Sequence, residues 1–370
     1  MTRSSRNIVS TLRADGKLVV ELVESEVPDP TGREILVRVE AAPINPSDLN
    51  LMFGPVNLAA GEFSPGRIVA PMPEEAMPSL AGRYDLPMPI GSEGAGTVIA
   101  AGDAPEAQAL LGKRVACRPG GIYADYRIAD ARLAMPLPED LPTELAAASF
   151  VNPTTTVGFV ETMRKEGFTG LIHTAAASNL GQMLVKLCAE EGIPLVNIVR
   201  KAEHVELLKG IGAEHVVDSS RDDFREKLIA AIDATGARLA FDAIGGGTMA
   251  SDLLSAMEAV CAKDLPYSRY GSSERKKVYV YGTLDFGPTI IHRNAGFTWE
   301  VAGWLVTPFL MSLTSEEISR VQERVLRGLK TTFVSSFKRR IDINQLFDRD
   351  VALACNAKAT GEKFLLTPSG

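Results

Sequence analysis

The chain has 370 residues, 45% of them hydrophobic and 23% charged, with a formal net charge of −7 at pH 7. That length is generous for one hydrophobic core and implies two domains, and the acidic balance argues against nucleic acid or an anionic membrane surface as the main partner. Met1 to Asp15 is polar and basic without the apolar core of a signal peptide, and no apolar run reaches membrane-spanning length, so a cytoplasmic protein with no membrane partner is expected. Cys117, Cys188, Cys261 and Cys355 are far apart with no C-x-x-C pair and are read as reduced, mostly buried thiols.

In chain order, Lys17 to Val23 and Glu34 to Ala41 alternate or run apolar with β-branched residues, and Pro28, Pro30 and Gly32 separate them as turn residues. Gly91 to Ala101, Lys113 to Cys117 and Gly121 to Ile128 are further predicted strands, so the N-terminal part is β-rich. From Glu144 the pattern changes to strands alternating with helices. Helices are predicted at Glu144 to Ser149, Thr155 to Lys165, Glu203 to Ile211, Phe224 to Thr235 and Thr248 to Ala259. Strands are predicted at His215 to Val217, Leu239 to Ala243 and Lys277 to Tyr281. Short apolar strands between amphipathic helices mean a parallel, doubly wound sheet. The last sixty or so residues give a helix Ser315 to Leu329, a strand Phe333 to Lys338, a helix Asn344 to Ala354 and a strand Lys363 to Thr367.

The run Leu171 to Leu187, read with Val196 to Lys201, carries the most chemistry. A strand enters the small-residue turn Ala175-Ala176-Ala177-Ser178-Asn179-Leu180-Gly181, an amphipathic helix follows, and a second apolar strand ends on Arg200 and Lys201. This is the pattern of a dinucleotide-binding βαβ unit whose first two glycine positions are Ala176 and Ser178. Small side chains still admit a pyrophosphate to the helix N-terminus. Where an NAD-binding unit places an acid for the ribose 2′-OH, this chain places two cations, which suits a 2′-phosphate and therefore NADPH.

Six further segments, in order, carry a family resemblance: Ala42 to Asn50 (A-P-I-N-P-S-D-L-N), Pro89 to Val98, Val151 to Thr156, Gly212 to Val216, Phe241 to Gly246, and Tyr281-Gly282. Together they resemble the medium-chain dehydrogenase/reductase superfamily, within it the zinc-independent branch of quinone oxidoreductases and enoyl-thioester reductases. The resemblance implies a Rossmann doubly wound domain over residues 147–311, and a β-rich GroES-like catalytic domain from residues 1–146 with 312–370. It implies an active site in the cleft between them and a homodimer paired through the edge of the Rossmann sheet. By motif position it assigns cofactor contacts to Asn45, Asn152, Thr156, Ala177, Ser178, Asn179, Leu180, Arg200 and Lys201. Tyr281, Gly282, Thr283, Leu284, Gly303, Trp304 and Leu305 are assigned as walls of the nicotinamide pocket, and Lys363 as a lysine closing on the cofactor.

Where zinc-using relatives have a cysteine this chain reads Asn45-Pro46-Ser47-Asp48, and where they have Gly-His-Glu it reads Gly91-Ser92-Glu93. Only Glu93 survives, as a buried or hydrogen-bonded carboxylate, and no metal is expected. Without a Lewis acid, conjugated acceptors are easier to reduce than simple carbonyls, because the charge left by hydride addition delocalises onto an oxygen. The expectation is an NADPH-dependent oxidoreductase acting on a quinone or an activated C=C bond of a hydrophobic or aromatic acceptor. The alternatives are a carbonyl reductase working by proton relay and a non-catalytic NADPH-binding member of the fold. Enoyl-thioester reductases carry a tyrosine proton donor where this chain has Val56. An insert, Asn57 to Asp85, follows it, and is expected either to form a substrate lid or to be a structural surface loop. Tyr84, or an ordered water, is the candidate proton source, and Asn50 the second candidate catalytic residue. A second insert, Lys263 to Arg275, is expected at a partner-subunit contact.

Overall fold

The computed structural model describes residues 3–358, 360–361 and 363–368. Two compact units emerge: residues 1–151 with 334–370, and residues 152–333.

In the first unit, Arg3–Leu12 and Lys17–Val27 form an antiparallel hairpin across Asp15 and Gly16, whose φ of +82° suits glycine. The sequence reading left Arg3–Leu12 unassigned, because the face that carries the apolar Ile8 and Leu12 also carries the small polar Ser10. Insert residues join this sheet. Glu62–Ser64 pairs with Arg67–Pro71, which pairs with Lys17–Val27, and Met88–Pro89 closes the far edge of Arg3–Leu12.

A second sheet runs Met135–Pro136, Arg114–Cys117, Gly94–Ala101, Glu34–Pro43, Phe364–Leu366, Arg339–Ile341, with Tyr126–Asp130 also on Glu34–Pro43. Two of its strands come from the C-terminal tail, antiparallel to Glu34–Pro43 through Phe364–Leu366. Ile8, Val37, Phe53, Tyr123, Phe347 and Leu366 share one core. Two tail predictions shift. Phe333 does not start a strand, because it packs under Gly328 and the Arg324 guanidinium, and the strand begins only at Arg339. The helix predicted over Asn344 to Ala354 is a 3-10 turn, Gln345–Phe347, and a helix, Arg349–Asn356, divided at the extended residue Asp348.

The second unit is a six-stranded parallel sheet in the order His215–Asp218, Leu195–Val199, Leu171–His173, Leu239–Asp242, Lys276–Val280, Trp299–Gly303. Numbered along the chain that is 3-2-1-4-5-6, the doubly wound order, with its switch point between Leu171–His173 and Leu239–Asp242. The sixth strand was not predicted, since as an edge strand it alternates half-buried and exposed residues over only five positions. Helix Val151–Lys165 starts four residues before the predicted Thr155, with Pro153 tolerated in its first turn. Helix Ser315–Gly328, grouped by the sequence reading with the catalytic part, lies in this unit. Arg324 ion-pairs with Glu190 and Glu191 on helix Asn179–Glu191.

Candidate functional site

The carboxyl ends of the parallel strands carry the first group of candidates. Strand Leu171–His173 runs into the turn, where Ala175 adopts a left-handed φ of +51°. Ser178 then caps helix Asn179–Glu191, its hydroxyl oxygen accepting from the Gly181 N–H at 3.1 Å. The hydroxyl therefore acts first as an acceptor, and its own hydrogen is left for another partner. Gly181 is irreplaceable for a geometric reason: a Cβ there would stand 2.1 Å from the Ala176 carbonyl oxygen. Helix and strand touch backbone to backbone, which is the third glycine's task in this turn. Ala177 and Leu180 are buried, so only their backbone can meet a ligand, while Ser178 and Asn179 are partly exposed.

Beside this turn, Asp242 is fully buried at the end of the fourth strand. Its Oδ1 accepts from Thr174 Oγ1 at 2.7 Å and the Ile244 N–H at 3.0 Å, and its Oδ2 accepts from the Gly245 N–H at 3.1 Å. The Ala243 N–H closes the ring on Thr174 Oγ1 at 2.8 Å. The first and fourth strand ends are thus locked at the switch point. Sequence reasoning quoted Asp242 within a motif without giving it this task.

His173 is fully buried, 2.7 Å through Nε2 from the Tyr281 hydroxyl, and burial pushes its pKa down to about 3. Burial and the Asp242 charge hold the Tyr281 phenol above its ordinary range, so this pair is neutral. Tyr281 and Trp304 pack edge-on against Phe159, each with ring centroids 4.8 Å away, and Trp304 Nε1 donates to Thr162 Oγ1 at 3.1 Å. As wall residues they offer backbone more than side chain. Gly282 lies so close to Ala243 that a Cβ would be 2.5 Å from its carbonyl oxygen. Thr283, Leu284, Gly303 and Leu305 are exposed.

Arg200 and Lys201 are exposed at the end of the second strand. Lys201 pairs with Glu203 at 3.3 Å, whereas Arg200 makes no ion pair among the described residues. Asn152 is buried near the start of its helix, and Thr156 is fully buried with its hydroxyl donated to the Asn152 carbonyl at 2.8 Å. That intrahelical bond uses the Thr156 hydrogen and leaves its oxygen as an acceptor for any cofactor contact.

The β-rich unit holds the second group. Asn45 is buried, its N–H donates to Asp48 Oδ2 at 3.0 Å, and its Nδ2 donates to Glu93 Oε1 at 2.9 Å. Glu93 Oε2 accepts the N–H groups of Phe150 and Val151 at 2.8 and 2.9 Å. Asp48 takes Ser92 Oγ at 2.5 Å on Oδ1 and the Tyr123 hydroxyl at 3.0 Å on Oδ2. Burial raises the pKa of both carboxyls. Lys363 Nζ lies in the same cluster, its charge felt by Glu93 and Asp48. Asp48 and Tyr123 were missed; the signal was an acid three residues into the helix that Asn45 begins, the spacing of a capping box.

The two catalytic candidates are bound elsewhere in this unit. Asn50 Oδ1 accepts from Lys358 Nζ. Tyr84 donates its hydroxyl to the Met77 carbonyl at 2.7 Å and packs on the core beside Leu80 and Met77. The phenolic hydrogen is thus engaged inside the insert. The insert is sheet and 3-10 turns, anchored by buried Leu58, Ile68, Ala70 and Met72.

A family model for the alcohol dehydrogenase GroES-like domain matches residues 31–139, and one for zinc-binding dehydrogenase matches residues 179–259. The mitochondrial enoyl-[acyl-carrier-protein] reductase of Bos taurus is 27% identical over 249 residues, an alignment covering 65% of this chain and 60% of that protein. A Mesorhizobium loti protein assigned as an NADPH:quinone reductase superposes with a TM-score of 0.77 at 24% identity, covering 99% of this chain and 98% of that one. Escherichia coli quinone oxidoreductase complexed with NADPH superposes at 0.70 with 18% identity, covering 99% and 100%. A doubly wound unit and a GroES-like unit carrying these turns define a medium-chain dehydrogenase/reductase. The chain belongs to that superfamily, in the branch of quinone oxidoreductases and enoyl reductases. It spans about 60% of the length of the curated relative it matches.

The zinc in the second model's description finds no fitting ligand set. The donors at the corresponding positions are Asn45, Ser92 and Glu93, and both Glu93 oxygens already accept hydrogen bonds. Among the described residues, no group of three or more His, Cys, Asp or Glu could hold a metal. No helix there is long and apolar enough to cross a membrane.

Proposed function

We propose that this protein is a zinc-independent, NADPH-dependent oxidoreductase that reduces a quinone or an activated C=C bond of a hydrophobic or aromatic acceptor. The observation that supports it best is Arg200, an exposed guanidinium without an ion-pair partner among the described residues, at the end of the second strand of a 3-2-1-4-5-6 sheet. That is where a doubly wound fold meets the adenosine ribose, and a 2′-phosphate is the anion that matches it. The Ser178-capped helix start would hold the pyrophosphate, with the backbone of Tyr281 to Leu284 beside the nicotinamide. When bound, the reduced nicotinamide supplies hydride. The carbonyl of an enone, enoyl thioester or quinone spreads the charge that hydride addition leaves, so protein donors suffice where a zinc would otherwise polarise the acceptor.

The protein pairs with a second copy through its parallel-sheet unit. This is favoured by the exposed apolar side chains Leu265, Tyr267, Leu284, Phe286, Ile290 and Phe297, on and around the second insert and the edge strand's approach. Sedimentation is expected to return twice the chain mass.

The deciding experiment follows oxidation of NADPH and NADH with a panel of quinones, enones and enoyl thioesters. NADPH should bind at least roughly tenfold more tightly than NADH, from charge-assisted contacts of about 1.5–3 kcal/mol, and Arg200→Ala should remove that preference. Turnover confined to simple carbonyls would point to the proton-relay reading. Tight NADPH binding with no turnover would point to a non-catalytic member of the fold.

A further inference from the structure

Inside the parallel-sheet unit, His173 Nδ1 and Asn197 Oδ1 are buried without a hydrogen-bond partner among the described residues. They are neighbours by register. His173 and Asn197 stand directly opposite each other on the first and second strands, so their side chains leave the same face of the sheet from backbones about 4.8 Å apart. The next residues in that row are apolar, Val216 beyond Asn197 and Phe241 beyond His173. Each of the two side chains is also tied on its outer side. Asn197 Nδ2 donates to the His215 carbonyl on the third strand at 3.2 Å, which turns Oδ1 of the same planar amide away from that strand and toward the one that carries His173. His173 Nε2 lies 2.7 Å from the hydroxyl of Tyr281, which follows the fifth strand on the opposite side.

A neutral imidazole has one N–H and one lone pair, and its neighbours decide which nitrogen carries which. With the hydrogen on Nε2, Nδ1 would turn a lone pair toward Asn197 Oδ1, and two buried acceptors would face each other unpaired. With it on Nδ1, Nε2 accepts from the Tyr281 hydroxyl and Nδ1–H faces the one acceptor in its row. We infer that Asn197 holds His173 in the Nδ1–H tautomer, through a single buried water between Nδ1 and Oδ1, and so keeps the Tyr281 hydroxyl hydrogen turned inward. A buried donor and a buried acceptor just beyond direct reach of each other are where proteins hold an internal water. The chain runs from the Tyr281 hydroxyl to Nε2, from Nδ1–H through the water to Oδ1, and from Nδ2–H to the His215 carbonyl. Its bearing on catalysis rests on the reductase reading, in which the backbone of Tyr281 to Leu284 stands beside the nicotinamide. Tyr281 is fixed by its N–H, which donates to the Asp242 carbonyl at 2.9 Å, and by its hydroxyl on His173. Asn197 is therefore a positioning residue for that wall, acting from three strands away.

The test is nitrogen NMR of the imidazole rings in isotope-labelled protein at neutral pH, with His173 assigned among the four histidines by the signals that His173→Gln removes. The wild type should show a protonated Nδ1 and a bare Nε2 for His173. Asn197→Leu should lose that preference, and Asn197→Asp, which keeps an acceptor at Oδ1, should retain it. Dissociation constants for NADPH and NADH, read from nicotinamide fluorescence, should rise together by about three- to tenfold in Asn197→Leu, because the wall does not meet the 2′-phosphate. Arg200→Ala, by contrast, should weaken NADPH alone. A protonated Nε2 in the wild type would overturn the proposal whether or not any variant folds, and so would an unchanged tautomer in Asn197→Leu. A changed tautomer with both affinities unmoved would overturn the positioning role. A protonated Nδ1 in a wild type that binds neither dinucleotide would uphold the chain and remove the cofactor reading instead.

Discussion

At the scale of single residues, the turn after Leu171–His173 shows how a departure from the expected glycine pattern can still be strict. Ala176 and Ser178 are tolerated because neither position forces backbone against backbone, whereas Gly181 has the Ala176 carbonyl within 2.1 Å of where a Cβ would be. Gly181→Ala is therefore expected to cost at least about 2–3 kcal/mol or prevent folding, as overpacking against fixed backbone does, and urea denaturation would measure it. His173 supplies a pH-dependent counterpart. Its folded pKa of about 3 lies below the ordinary 6.5, so between those values the unfolded chain binds a proton that the folded chain refuses. The contribution is fully present above pH 6.5 and is lost as pH falls toward 3. Each pH unit through that window costs up to about 1.4 kcal/mol. His173→Asn should show a shallower loss of stability than the wild type between pH 7 and 5, with the two curves converging by about 2 kcal/mol. Parallel curves would mean that His173 is protonated in the fold.

At the scale of elements, legibility followed burial on both faces. The other five strands of the parallel sheet, His215–Asp218 at the far edge included, were readable because they are short, mostly apolar and separated by helices of clear period. The edge strand Trp299–Gly303 was not, since two of its five residues are exposed and the other three only half-buried. Arg3–Leu12 hid behind its serines, yet the Asp15-Gly16 turn beside it was a usable hairpin signal. The insert is the instructive case. Its Pro, Gly and Met content suggested a loop, and composition could not reveal that Arg67–Pro71 would find an open edge on Lys17–Val27. Tertiary pairing decided it. Because Leu58, Ile68 and Met72 are buried in the shared core, Leu58→Ala should cost about 2–5 kcal/mol. Removing residues 57–85 should lower the melting temperature sharply or abolish soluble expression. A shortened protein that melts like the parent would return the insert to the status of a dispensable loop.

At the scale of the whole molecule, the site residues divided by the kind of force that places them. Backbone-defined positions such as the Ser178 to Gly181 turn and Gly282 were legible from motif order, because a close approach leaves few residue types possible. Side-chain partners were not: nothing local announces that Tyr84 would bond to Met77 or that Lys363 would come from the C-terminal tail to the Asn45 and Glu93 cluster. That cluster also bears on what the zinc-binding description of the cofactor-unit match implies for metal content. A catalytic zinc needs three strong N, S or O donors and an open position. Asn45 offers a weak amide oxygen, Ser92 gives its hydroxyl hydrogen to Asp48, and each Glu93 oxygen already accepts from nitrogen. Binding zinc here would rest on the remaining lone pairs of an amide, a hydroxyl and one carboxylate, with no thiolate or imidazole among them. The purified protein is therefore expected to carry far less than one zinc per chain by elemental analysis. The activity proposed for it and its melting temperature should be unchanged by strong chelator. A stoichiometric zinc, or activity that chelation removes and zinc restores, would show that Glu93 is a metal ligand and that the hydrogen-bonded cluster rearranges around it.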